Sequence, residues 1–191
     1  DGIEYTMELP QEFDCEKMKK AMAETQMQLS MLGTFWWVDK LGVTLMDADE
    51  RKSQQAVDLF KQAIDIGEKM HTPVALGMLR GDAPCDVPIA KSYDRLVEIL
   101  KDIADYAKKA DTIITIEPQH RFNINMVNTT REGIDVINRV GSDYLKLTFD
   151  IKHSIVEEDL YESIVASRDV LFNVHFIDAD HAPASPTGIL D

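Results

Sequence analysis

Three short apolar runs at nearly even spacing constrain this chain more than any other feature. They are Thr112-Ile113-Ile114-Thr115-Ile116, Tyr144-Leu145-Lys146-Leu147-Thr148-Phe149 and Val170-Leu171-Phe172-Asn173-Val174. Each is rich in β-branched or aromatic residues and bounded by polar ones, the pattern of a buried strand. A helical pattern lies between each pair, and strand–helix–strand repeats of this length imply right-handed βαβ units in a parallel sheet. The runs end on Glu117, Asp150 and His175. Neighbouring strands lie about 4.8 Å apart, so these three side chains should emerge together at the C-terminal edge. Two carboxylates and an imidazole at one point form a donor set for a divalent metal.

The rest of the chain repeats the alternation. A strand is expected over Asp1–Met7, a helix capped by Asp14 to about Thr25, and a strand over Met27–Leu32. A long loop follows over Gly33–Asp47, carrying Phe35, Trp36 and Trp37. Residues 50–70 hold the clearest helix, with Val57, Phe60, Ile64, Gly67 and Met70 on one face. A strand is expected over Pro73–Leu79, then a loop, then a helix capped by Ser92 to about Ala110. Thr129 and Glu132 form a capping box for the next helix, which ends at Gly141. Glu157-Glu158-Asp159 suits another helix start, and Asp178–Asp191 reads as loop.

The 191 residues fit a single domain, residues 1–191. A net charge of −14 argues against nucleic acid or an anionic membrane as partner and fits an enzyme for a small ligand. No apolar run approaches a membrane span and no secretory signal is read. Cys15 and Cys85 form neither a metal spacing nor a disulfide framework, so a cytoplasmic setting is expected.

Six parallel strand–helix units leave two candidates, an open doubly wound sheet and a (β/α)8 barrel. The first should show a Gly-rich turn after its first strand, and none is present. Candidate functional groups at three successive strand ends favour the barrel.

The segments Ile116-Glu117-Pro118-Gln119-His120-Arg121-Phe122, Val127-Asn128-Thr129, Phe149-Asp150-Ile151-Lys152-His153 and Asn173-Val174-His175-Phe176-Ile177-Asp178 resemble the xylose-isomerase-like TIM-barrel superfamily. Within it they look most like the ketose 3-epimerase branch and its sugar phosphate isomerase/epimerase relatives. The resemblance implies a (β/α)8 TIM barrel with Glu117, Asp150 and His175 as metal ligands and His153 against the substrate oxygens. It implies a divalent metal (Mn, Mg, Co or Zn) and a small sugar or sugar derivative as partner. Six strands are counted where the family has eight, so the sequence is expected to be an incomplete barrel lacking the first and last strands. The family's fourth ligand, a glutamate on the eighth strand, is expected beyond Asp191. Two exposed strand edges follow, and with them a possible homo-oligomer.

Two positions depart from the epimerase pattern. Asn123 stands where the branch usually has a substrate-binding glutamate, and His181 where it usually has an arginine. Both, with Trp36 and Arg80, are candidate substrate contacts. Each has a plainer reading. A carboxylate ending a strand often only caps a helix, His120 and His181 suit the surface, the tryptophans can cover the barrel mouth, and Arg80 can be solvated.

The expected chemistry is sugar isomerisation or epimerisation through an enediolate. The metal would polarise a carbonyl, and Glu117 would move a proton on an adjacent carbon. A barrel that binds a sugar or a partner without turnover is the non-enzymatic alternative. An endonuclease IV-type phosphodiesterase needs histidines from early strands, and none precedes His71.

Overall fold

The computed structural model describes residues 1–177. The tail and His181 lie outside the described residues. Six parallel strands form one sheet in the order of the chain: β1 (Gly2–Thr6), β2 (Gln28–Gly33), β3 (Val74–Ala75), β4 (Ile114–Ile116), β5 (Leu145–Asp150) and β6 (Leu171–His175). Each strand pairs with the next, from Gly2 opposite Gln28 to Asp150 opposite His175. Helices return the chain between strands: α1 (Cys15–Thr25), α2 (Trp37–Leu41), α3 (Glu50–Met70), α4 (Ile89–Lys109), α5 (Thr130–Val140), α6 (Ile151–Glu157) and α7 (Leu160–Ser167). This sequential order, with every crossover in one sense, gives a partial TIM barrel, an open arc rather than a doubly wound sheet.

The apolar core lies between sheet and helices. Leu32, Val74, Ile114, Ile116, Leu145 and Leu147 from the strands meet Phe60, Ile64, Leu96, Leu100, Ile103 and Val136 from the helices. The 3.6-residue period of α3 and α4 and the alternation of the strands point at the same layer. Helix α3 docks tightly, since a Cβ on Gly67 would stand 2.7 Å from the Thr72 carbonyl oxygen and 2.8 Å from a Val74 methyl. The inner face of the arc differs. There Thr148 donates a hydrogen bond to Thr115 at 3.0 Å, and two residues further along each strand stand Asp150 and Glu117.

Three local expectations are corrected. The strand expected over Pro73–Leu79 stops at Ala75, because Gly77 turns to φ +53° and the chain continues as a 3-10 turn over Gly77–Arg80. Helix α4 begins at Ile89 behind Pro88, and Ser92 is buried within it rather than capping it. The long loop after β2 contains the short helix α2, which Trp37 anchors by burying its ring and donating its indole N–H to the Met7 carbonyl at 3.0 Å. The other helix signals hold. Asp14 caps α1, Thr129 and Glu132 form the capping box of α5, and Asp159 caps α7.

Candidate metal centre

Glu117 follows β4, and Asp150 and His175 end β5 and β6. The curl of the arc turns all three inward. The His175 Nδ1 lies 2.7 Å from Glu117 Oε1 and 3.4 Å from Asp150 Oδ2. One ligand atom from each residue falls within 4.8 Å of the others. Bonds of about 2.0–2.3 Å to one divalent ion require donor atoms no more than about 4.6 Å apart, and the two separations from His175 Nδ1 lie inside that limit. The donor set of two carboxylate oxygens and one imidazole nitrogen fits a divalent metal in number and type.

Asp150 uses its two oxygens differently. Its Oδ1 accepts the His153 backbone N–H at 3.1 Å and caps α6, while Oδ2 faces His175. Burial works to raise its pKa, but the hydrogen bond to His175 and the charge of His153 outweigh burial and hold it below the ordinary carboxylate value. Burial also works to lower the His175 pKa. Hydrogen bonds to Asp150, Glu117 and Glu4 overcome it and push the imidazole up to about 12.

Glu4 is the group that sequence reasoning missed. Its Oε2 lies 3.1 Å from His175 Nε2. This leaves Nδ1 as the nitrogen that faces Glu117 and Asp150, and a carboxylate on the far nitrogen is the usual way of orienting a metal-binding histidine. The only signal in the sequence is its alternation with Thr6 on one face of β1. Gln119 was also missed. It is 2% exposed, and its Nε2 donates to Glu117 Oε2 at 2.9 Å.

His153, buried on α6, packs edge-to-face against His120 with ring centroids 4.7 Å apart. Burial lowers the His153 pKa against the opposing charges of Asp150 and Glu117. His120, expected at the surface, thus joins the rim of the centre. The Nδ1 atoms of both histidines and Gln119 Oε1 are buried without a hydrogen-bond partner. Beside them Glu157 takes the Arg121 guanidinium and, at 2.6 Å, the Arg121 backbone N–H.

Arg80 overturns both expectations for it, substrate contact and solvation. It is 0% exposed, and its guanidinium donates to main-chain carbonyls: Glu117 at 2.7 Å, Val127 at 3.2 Å, Met126 at 3.4 Å and Gly77 at 3.5 Å. Burial lowers its pKa to about 10, opposed by the charge of Glu117. Val127 has φ +56°, a left-handed conformation that costs a β-branched residue about 1–3 kcal/mol. Trp36 is 52% exposed and edge-to-face with Phe35, so of the two adjacent tryptophans it is the one able to meet a ligand. Asn123 is exposed on the loop between β4 and α5, its N–H donating to the His120 carbonyl at 2.9 Å.

Comparison with known proteins is consistent with this geometry. Residues 1–188 match a family model described as xylose isomerase-like TIM barrel. A hydroxypyruvate isomerase of Escherichia coli (strain K12) is 24% identical over 98% of this chain and 72% of its own length. A D-psicose 3-epimerase of Agrobacterium fabrum is 29% identical over 68% of this chain and 45% of its own. The crystal structure of D-allulose 3-epimerase from Methylomonas sp. in complex with D-allulose superposes with a TM-score of 0.86 at 22% identity, covering 100% of this chain and 66% of that one. The chain thus spans between 45% and 72% of these proteins.

Proposed function

The chain belongs to the xylose isomerase-like TIM barrel family, and from that premise we propose that it carries the metal-binding half of a sugar isomerase or epimerase active site. The observation that carries the proposal is the convergence of Glu117, Asp150 and His175 from three successive strands. Ketose 3-epimerases and a hydroxypyruvate isomerase among its relatives support the reaction class.

In this reading Glu117, Asp150 and His175 would hold a divalent ion such as Mn²⁺, Mg²⁺, Co²⁺ or Zn²⁺. Bound there, such an ion would supply Lewis-acid polarisation of a sugar carbonyl and stabilise the negative charge that develops when the adjacent proton leaves. The protein's own groups do the rest. Glu4 keeps the His175 ring turned toward the ion position. Glu117 Oε2, on the side away from His175, takes the proton from the carbon next to the carbonyl, and the Gln119 amide fixes its direction. His153 contacts the substrate oxygens from α6, and Trp36 and Asn123 contact the sugar at the mouth. A second base on the opposite face of the sugar would complete epimerisation, and transfer between adjacent carbons would give aldose–ketose isomerisation.

Metal-stripped protein should be titrated with each of the four ions and tested against a panel of ketoses and aldoses by product analysis. Metal-dependent interconversion that Glu117→Gln abolishes supports the proposal. Sugar binding without turnover in the metal-loaded protein would instead establish the non-enzymatic alternative.

A further inference from the structure

We propose that Arg80 is a positioning residue that clamps the loop between β4 and α5 and so aims Glu117 and Gln119; the inference rests on the reading of Glu117 as ligand and base. Its guanidinium meets no carboxylate among the described residues, although a buried cation is ordinarily paired with one. It instead spans both ends of one loop. Nη1 binds the carbonyl of Glu117, where the loop leaves β4, and Nη2 and Nε bind the carbonyls of Val127 and Met126, where it returns toward α5.

Independent contacts close the same point. The Val127 N–H donates to the Tyr93 hydroxyl at 2.9 Å, and the Val127 carbonyl also accepts the Gln119 N–H at 3.1 Å. Asn128 Nδ2 donates to the carbonyls of Gln119 and Ile124, each at 2.7 Å. Val127, buried and held at positive φ, is the knot of this arrangement, since a strained backbone persists only where its surroundings over-determine it. Between the pinched ends lie Gln119, His120 and Asn123. Only a planar fork with several fixed donors reaches both ends of the loop at once, and a lysine ammonium cannot.

The test uses the full chain with Arg80→Met, Arg80→Lys and Tyr93→Phe. Peptide hydrogen exchange over residues 117–128, Mn²⁺ affinity by calorimetry, and kcat and KM on a ketose that the wild type converts are measured. Arg80→Met is expected to unfold cooperatively, exchange this loop at least tenfold faster, bind Mn²⁺ at least tenfold more weakly and lose about 100-fold in kcat with KM within threefold of the wild type. Arg80→Lys should resemble Arg80→Met. Full rescue by lysine would show that charge alone matters and would overturn the clamp. Tyr93→Phe removes only the independent contact and serves as the control, with a smaller acceleration of loop exchange than either Arg80 variant, and Arg80→Lys decides the matter if Arg80→Met does not fold. Wild-type loop protection and Mn²⁺ affinity in Arg80→Met, or in Arg80→Lys where Arg80→Met does not fold, would refute the inference. A wild-type protein inert toward every ketose would count against the catalytic reading alone, with the exchange measurement still deciding the clamp.

Discussion

Strands β4 and β6 each deliver one member of the same cluster, yet they sit in opposite surroundings. Every residue of β4 is buried between β3 and β5, with helices over its outer face. Along β6 half-buried and exposed residues alternate, and Phe172 and Val174 are exposed. At the far end of the arc, β1 exposes Ile3 and Tyr5. Pairing register places Glu117 and His175 equally well in both settings. Burial reports a strand's neighbours, and site geometry reports its register and the curl of the sheet.

The largest effect that would test this comparison is chemical. Glu117→Gln should reduce turnover by about 10³-fold or more, since it removes a charged ligand and the proposed base together. A variant with more than a tenth of wild-type turnover would break the assignment. His153→Ala should lower turnover by about 10–100-fold, a loss in the range of a positioned polar group. Its bound metal, measured by elemental analysis, should stay at the wild-type level, and parallel loss of metal would merge two roles that the proposal separates.

Stability should separate centre from edge. Leu147→Ala on β5 should cost about 2–5 kcal/mol in urea unfolding, as fully buried leucines do. Val174→Ala on β6 should cost under about 1 kcal/mol, because its side chain is already partly in water. Equal losses would show that the edge is covered in solution.

The pH response sharpens the account of β6. At the proposed centre a metal would displace the His175 proton, whose pKa is raised to about 12, so calorimetric metal affinity should rise up to about tenfold per pH unit between pH 6 and 9. In metal-free protein the sign is reversed. The raised pKa stabilises the fold fully below the unfolded value of about 6.5, and that contribution is lost as pH rises toward 12. Thermal melts with and without metal should therefore diverge with rising pH. The smallest effect concerns the edges. Ile3→Lys with Val174→Lys should weaken any concentration-dependent association of residues 1–191 in sedimentation.

The parts legible in the sequence were those governed by short-range periodicity. The runs ending on Glu117, Asp150 and His175 gave strand direction, and direction placed the three together. The capping box at Thr129 was legible for the same local reason. Glu4 was not, because its approach to His175 depends on the curl of six strands across 171 positions. Arg80 looked like a surface or substrate-facing cation, because the carbonyls that hold it lie in a loop 37 to 47 residues away, apart from that of Gly77. Trp36 and Trp37 are adjacent in sequence, and only the turn into α2 decides which ring goes inward. The strand expected through Leu79 failed at Gly77, where backbone conformation overrode an apolar run.

Asp150 binds backbone with one oxygen and faces the ion position with the other, and this couples two parts of the molecule that are otherwise separate. The same carboxylate thus touches His175 through Oδ2 and, through Oδ1, the first turn of α6, the turn that carries His153. In the proposed reading, an ion held by Oδ2 would thereby be one carboxylate away from the turn that carries His153. The two duties can also be uncoupled: asparagine at 150 keeps an acceptor for the helix while surrendering the charge, and glutamate keeps the charge while its longer reach forfeits the cap.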